Sequence, residues 1–160
     1  MRSLIAAKFL LLVTVLSVPS RGLAQAAPNG RTPAGAVEAA IKHILTPQYE
    51  NLRVGLVPSA LPDAVTQEVE KRTGWRIITS PRDEVVCESR GKCDFRTIDV
   101  LVEVVSVEAG EKGSVNVVAN RTVVMRHREY GRMFYIRYLL TLELREGKWE
   151  VINEQLLEIS

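Results

Sequence analysis

Apolar positions change their spacing once along the chain, near residue 84. Before that point they recur every three or four residues, which is the period of an amphipathic helix. Beyond it they alternate with polar positions, which is the period of a half-buried strand. The pattern predicts an α+β fold, with two N-terminal helices packed on one face of a sheet of long strands.

Two helices are predicted in the first half of the chain. The first follows Thr32 and Pro33, a typical N-cap and first helical residue, and Pro47 ends it. Its apolar face consists of Val37, Ile41, Ile44 and Leu45. The second helix begins at Pro62 and ends at Gly74. Both helices therefore precede the sheet in the chain.

Four long strands are predicted in the second half. They are residues 97–108, 114–128, 132–145 and 148–159. Short glycine-bearing turns separate them, so the strands should pair in sequence order as a curved antiparallel meander. Residues 52–79 leave an alternative open, because they could form a strand-helix-strand unit that would add a parallel pair.

The first 26 residues are predicted to be a secretory signal peptide. The basic residues Arg2 and Lys8 come first, a ten-residue apolar run follows at 9–18, and a small-x-small cleavage site ends the segment at Ala26. The apolar run is too short to span a bilayer, which takes about 20 residues. An uncleaved N-terminal anchor is the alternative. After cleavage we expect a flexible lead-in at 27–32, then one α+β domain at 33–160, in a periplasmic or secreted protein.

Removing the signal peptide changes the net charge. The whole chain has 21 basic and 19 acidic residues. Arg2, Lys8 and Arg21 leave with the signal and no acid does, so 18 basic residues remain against 19 acidic ones and the net charge is −1. The basic character therefore belongs to the targeting segment and does not indicate a nucleic-acid partner. No membrane span is predicted in the mature chain.

Cys87 and Cys93 are the chain's two cysteines, and they flank a Ser-Arg-Gly-Lys turn. An even cysteine count in an exported chain favours a disulfide over a thiol site. A redox pair would more typically read C-x-x-C, and zinc would need further ligands, for which the chain offers only His43 and His127. We predict a disulfide across a hairpin, with free thiols as the alternative, and no metal or other cofactor.

The order of elements resembles the nuclear-transport-factor-2-like, or more broadly cystatin-like, α+β superfamily. The likeness rests on two N-terminal helices, a curved antiparallel sheet and the closing hairpin LREGKWEVI at residues 144–152. In that superfamily a G-K-W-x-V/I hairpin often ends the chain. The resemblance implies an isomerase or dehydratase with a cone-shaped pocket, a non-catalytic ligand binder, or a domain that dimerises or holds partners. A strand-helix-strand unit at 52–79 would depart from it.

Strand alternation favours the non-catalytic reading. It turns a set of apolar residues toward the helices, where they could line a pocket: Val100, Val102, Phe134, Ile136, Tyr138, Leu140 and Leu142. The opposite row includes Tyr135, Arg137 and Glu143, which could contact a partner or a second copy. Asp99 and Glu103 point away from the pocket. On the predicted strands 97–108 and 132–145, only the phenol of Tyr138 therefore remains for acid–base chemistry.

The sequence therefore favours an exported binding or interaction domain that takes a small apolar ligand or a protein partner, or forms a homodimer, through an apolar pocket or an exposed sheet face. One alternative is a small cone-pocket enzyme acting on a lipophilic molecule through Asp99, Tyr138 or His127. Another is a structural or inhibitory domain that binds another exported protein. We interpret His127 as part of a solvated hairpin tip and His43 as a surface residue of the first helix. No catalytic residue is assigned.

Overall fold

The computed structural model describes residues 33–45, 52–88, 92–126 and 131–160. Over these ranges the chain is an α+β domain with three helices, a mixed six-stranded sheet and a separate two-stranded sheet. In chain order the elements are α1 (Pro33–Leu45), β1 (Val54–Val57), α2 (Asp63–Thr73), β2 (Arg76–Ile77), α3 (Pro81–Glu84), β3 (Val85–Cys87), β4 (Cys93–Phe95), β5 (Val100–Ala109), a 3-10 turn (Glu111–Gly113), β6 (Val115–Arg126), β7 (Gly131–Arg145) and β8 (Lys148–Ile159). The proposed signal peptide and lead-in lie outside the described residues.

The large sheet has the strand order β2-β1-β5-β6-β7-β8. Strands β5 to β8 pair antiparallel in sequence order, as the meander prediction requires. Strand β1 instead runs parallel to both β2 and β5. An antiparallel sheet throughout was therefore the wrong prediction, and the strand-helix-strand alternative for residues 52–79 is correct. The reason is the connection, because α2 returns the chain to the starting end of β1 and β2 then runs in the same direction.

Helix α2 ends at Gly74, the residue at which the sequence predicts its end. Gly74 has a φ of 71°, and its N–H donates to the carbonyl of Glu70. A residue with a side chain adopts this left-handed conformation at a cost, so glycine is the favoured stop. The chain then enters β2 at Arg76, beside β1.

The main core lies between α1 and one face of the large sheet. We call this the helix-side face and the opposite one the outer face. Alternation in β5, β6 and β7 sends Val102, Ala119 and Leu140 to the helix-side face, where all three are fully buried. Helix α1 contributes Ala34, Val37, Ala40, Ile41, Ile44 and Leu45. Their spacing of three or four residues puts them on one side of the helix.

The β3–β4 hairpin covers one end of the outer face. Cys87 and Cys93 are register partners in this hairpin and form a disulfide, which confirms the predicted bridge. The predicted Ser-Arg-Gly-Lys turn between them falls mostly outside the described ranges, at residues 89–91. Phe95 joins a second, smaller core together with Val57, Ile78 and Ile98. Ile98 precedes β5, which begins at Val100, and it packs in this second core rather than in the main one.

Candidate interaction surface

Strand β8 is twelve residues long and lies at one edge of the large sheet. Strand β7 pairs with one of its sides, and within the described ranges no strand pairs with the other. Seven large apolar side chains are exposed in these ranges, and four of them lie on β8. They are Ile152, Leu156, Leu157 and Ile159, which are 40%, 53%, 45% and 64% exposed. An edge strand already offers unpaired backbone groups, so apolar side chains along it mark a surface suited to pairing.

Two bulges interrupt the pairing of β8 with β7. Tyr138 pairs with Leu156 and Arg137 with Glu158, so Leu157 is an extra residue. In the same way Thr141 pairs with Asn153 and Leu142 with Val151, which leaves Ile152 extra. Apart from these two residues the alternation is regular. Trp149, Val151, Glu154, Leu156 and Ile159 share the helix-side face with their β7 partners, and Lys148, Glu150, Asn153, Gln155 and Glu158 share the outer face.

Helix α1 contacts the first half of β8. At one end Gly35 lies against Trp149, where a Cβ on Gly35 would be 3.0 Å from the Cδ1 atom of the indole. At the other end Nε2 of His43 lies 2.8 Å from an Oε atom of Glu154. Leu156 and Ile159 come after this point on the same face. Both are more than half exposed.

A row of polar side chains crosses the outer face from β5 to β8. Glu103, Asn120, Arg137 and Glu158 are successive register partners. The amide of Asn120 donates to Glu103 at 2.8 Å and accepts from Nε of Arg137 at 2.9 Å. Nη1 of Arg137 lies 3.6 Å from Glu158 on the edge strand. This ladder satisfies buried Asn120, which is 4% exposed, and ties β8 to the interior of the sheet.

The three residues predicted to contact a partner all belong to β7 and lie on the outer face. Arg137 is engaged in the ladder, and its guanidinium lies 5.5 Å from the ring centre of Tyr135. Glu143 accepts a hydrogen bond from Arg145 at 3.0 Å. These side chains are half-buried and bonded to neighbours on their own sheet. Their role in partner contact remains a prediction.

Five of the residues predicted to line a pocket are part of the closed main core. Val100, Val102, Leu140 and Leu142 have no exposed surface and Tyr138 is 5% exposed, while Phe134 and Ile136 are half-buried. The structure has a cavity of about 380 Å³ elsewhere, at the starting ends of β1, β2 and β5. Its lining includes Arg53, Trp75, Arg76 and Thr97 and none of the seven predicted pocket residues.

The acidic groups near this cavity are held by arginines. Asp99 accepts hydrogen bonds from the side chain and the backbone N–H of Arg53. The hydrogen bonds and the charge of Asp99 raise the pKa of Arg53 above its usual value. Glu84 is buried, lies 3.2 Å from Nη2 of Arg76 and accepts a hydrogen bond of 2.6 Å from the hydroxyl of Thr97. Both carboxylates therefore have structural partners.

The other candidate catalytic residues are Tyr138 and His127. Tyr138 is buried in the main core, with the guanidinium of Arg121 lying 5.5 Å from its ring centre. His127 lies outside the described residues. The part of the chain that the structure describes contains no cluster of three or more His, Cys, Asp or Glu side chains that could hold a metal ion. None of its helices is long and apolar enough to cross a membrane.

The exposed apolar surface along β8 was not predicted from the sequence. The sequence predicted the bounds of β8 but not that this strand would lie at an edge of the described sheet, beside α1. One signal was present, because the adjacent pair Leu156-Leu157 breaks the alternation and indicates a bulge.

No family model matches this chain, and no curated protein or solved structure matches it either. The resemblance to the nuclear-transport-factor-2-like superfamily remains a prediction.

Proposed function

We propose that this chain is an exported, non-catalytic interaction domain that binds a protein partner through the edge strand β8. The observation that carries the proposal is the concentration of exposed apolar side chains on that strand, namely Ile152, Leu156, Leu157 and Ile159. Burial of apolar surface stabilises a complex by about 25 cal/mol for each Å² removed from water. The free backbone groups of an edge strand add directional hydrogen bonds to an extended partner segment.

The contacts of the acidic residues support a non-catalytic role. Asp99 is occupied by Arg53, and Glu103 accepts hydrogen bonds from Asn120 and from the hydroxyl of Ser59 at 2.7 Å. A general acid or base needs a titratable group within hydrogen-bond reach of its substrate. In this chain the carboxylates that the sequence offered for that task instead hold strands and loops together.

Export is supported by the signal-like N-terminus and by the disulfide between Cys87 and Cys93. Disulfides persist in oxidising compartments and are rare in the cytosol. Intact-mass measurement of protein from the exported fraction tests this part of the proposal. We expect a chain that begins at Ala27 and is two mass units lighter than its fully reduced form; recovery of uncleaved chain from the cytosol would contradict it.

Site-specific photo-cross-linking tests the interaction surface. A photoreactive phenylalanine analogue replaces Leu156 in the full chain, and a matched variant carries it at Glu111, an exposed position in the 3-10 turn. After irradiation in its own exported fraction, the Leu156 variant should form a covalent protein adduct and the Glu111 variant should not. Equal labelling of both positions, or no adduct at either, would overturn the proposed surface.

A further inference from the structure

We infer that the partner on β8 is a second copy of this chain, whose own β8 pairs antiparallel with it about a two-fold axis through Asn153. This inference rests on the proposed function, because it names the partner of the same surface. The observations behind it are the direction of the backbone groups along β8, the charges on the strand, and the exposed end of its helix-side face.

The pairing with β7 determines which backbone groups of β8 face the open edge. Tyr135 lies on the outer face of β7, and it exchanges two backbone hydrogen bonds, of 2.9 and 3.0 Å, with Ser160, which directly follows β8. Residues of an antiparallel strand alternate in direction, so the outer-face residues of β8 bond to β7 and the helix-side residues turn their N–H and C=O groups outward. A second strand on this edge would therefore bond to Trp149, Val151, Glu154 and Leu156.

The charges on β8 select one register for a second copy. The strand carries one base, Lys148, and three acids, Glu150, Glu154 and Glu158. Lys148 and Glu158 both lie on the outer face, so a two-fold axis at Asn153 puts each lysine opposite Glu158 of the other copy. The two bulge residues, Ile152 and Leu157, take no part in this pairing. The other residues of one copy face those of the second copy as follows: Trp149 faces Leu156, Glu150 faces Gln155, Val151 faces Glu154, and Asn153 faces Asn153. No acid then faces an acid.

Neighbouring registers lose these features. Moving the two-fold axis to Glu154 keeps the same length of overlap but puts Glu154 opposite itself and Glu150 opposite Glu158. Sliding it the other way removes the Lys148–Glu158 pairs and leaves Leu156 beyond the partner strand. Opposite charges directly across a pair of strands stabilise it and like charges destabilise it. The strand therefore complements itself in one register and repels itself in the next.

The exposed end of β8 also fits this register. Leu156 is 53% exposed in its own copy, whereas Trp149 is half-buried and lies beside Gly35 at the start of α1. In the proposed dimer Leu156 of each copy pairs with Trp149 of the other. The exposed Leu156 of one copy thus lies beside Trp149 of the other copy, near the start of that copy's α1. The two-fold axis repeats this Leu156–Trp149 contact, so each copy buries its Leu156.

Charge exchange tests the pairing. Lys148→Glu and Glu158→Lys are made singly and together in the mature chain, with Glu111→Lys in the distant turn as the control, and masses are measured by native mass spectrometry over a range of concentrations. We expect the unmodified chain and the control to dimerise, and each single variant to dimerise on the order of tenfold more weakly. The double variant should dimerise again. An equimolar mixture of the two single variants should also form dimers, and each of these should contain one copy of each variant. Single variants that dimerise like the unmodified chain would overturn the register.

A cysteine pair tests the axis itself. Asn153→Cys puts two thiols opposite each other across the axis, so mild oxidation should give a covalent dimer. Gln155→Cys is the matched control on the same strand and face, because its two thiols would be separated by four residue steps, or about 13 Å. Equal cross-linking by both variants would overturn the register. Melting temperatures of both variants show that they remain folded.

The photo-cross-linking experiment separates failure of this inference from failure of the proposed function. An adduct of twice the chain mass from Leu156 supports the second copy. A chain that stays monomeric at every concentration but forms an adduct with a different protein overturns self-pairing and leaves β8 as an interaction surface. A monomeric chain with no adduct at Leu156 overturns both.

Discussion

Asp99 accepts three hydrogen bonds from Arg53. They come from the backbone N–H at 2.8 Å, from Nε at 3.0 Å and from Nη2 at 2.8 Å. Arg53 directly precedes β1 and Asp99 directly precedes β5, and these two strands run parallel from Val54 and Val100. The pair therefore joins the starting ends of two strands that are 46 residues apart in the chain.

Asp99→Asn should lower the thermal midpoint of unfolding. The amide cannot accept both side-chain bonds from the guanidinium, and its charge attraction to Arg53 is lost. The loss should be modest, because Arg53 is largely in solvent and water screens the pair. Glu108→Gln removes an exposed acid near the other end of β5 and is the control. Equal midpoints for the two variants in a circular dichroism melt would show that the pair does not stabilise the fold.

Asn120→Ala should destabilise the domain by about 1 to 3 kcal/mol, since it leaves a carboxylate and a guanidinium of the outer-face ladder without their shared partner. Urea unfolding measures the change. Asn116→Ala is the matched control, because Asn116 lies on the same strand and face but is only half-buried and bonds the hydroxyl of Thr141 at 3.0 Å. If Asn120→Ala lowers the free energy of unfolding no more than Asn116→Ala does, water replaces the hydrogen bonds that Asn120 makes in the ladder.

Glu38 makes stability depend on pH. Burial acts to raise the pKa of this carboxyl, but hydrogen bonds from Lys42 and Arg72, each 2.7 Å long, outweigh it and lower the pKa below its usual value. A carboxyl with a lowered folded-state pKa stabilises the protein above its unfolded-state pKa, and this contribution disappears as the pH falls through the folded-state value.

Glu38→Gln should therefore lower the midpoint of thermal unfolding at neutral pH and flatten its decline in acid. Melting curves collected from neutral pH down through the glutamate range measure both effects. Glu70→Gln, an exposed acid of α2, is the control and should keep the slope of the original chain. An unchanged acid slope in Glu38→Gln would assign the pH dependence to other groups.

Removal of the disulfide should cost about 2 kcal/mol, because the closed loop is short and the bridge restricts few conformations of the unfolded chain. Replacing both Cys87 and Cys93 by alanine should lower the free energy of unfolding by this amount in urea. The far-ultraviolet circular dichroism should barely change, since the bridge lies in the separate β3–β4 hairpin. Loss of the sheet signal would show that the hairpin is required for the whole fold.

Gly131→Ala should destabilise the contact between the hairpin and the large sheet. A Cβ at this position would lie 2.5 Å from the carbonyl oxygen of Cys93, which belongs to the backbone and cannot rotate away. We expect a loss of about 1 to 3 kcal/mol in urea unfolding, typical of an overpacked contact. In the variant lacking both cysteines the hairpin can move, so the same substitution should cost less; an equal cost in both backgrounds would place the strain elsewhere.

Local signals in the sequence determined several elements closely. Strand β8 spans the predicted residues 148–159, α2 ends at Gly74, and Cys87 pairs with Cys93. Each of these depends on residues near one another in the chain. Alternation with a period of two sets the length and faces of a strand, glycine allows the left-handed stop of a helix, and two cysteines around a short turn meet without any help from the rest of the fold.

The tertiary structure decided which elements became neighbours. Alternation assigns a residue to a face, but it does not say that β1 runs parallel beside β5, that β8 is the last strand in the order of the sheet, or that α1 lies beside Trp149 and Glu154 of that strand. The ladder from Glu103 to Glu158 depends on the registers of three strand pairs, and Trp149 is half-buried beside α1 while Leu156 and Ile159 on the same face are exposed. These relationships join residues far apart in sequence, and they are set by how helices and strands together bury the greatest apolar area rather than by the pattern of any one segment.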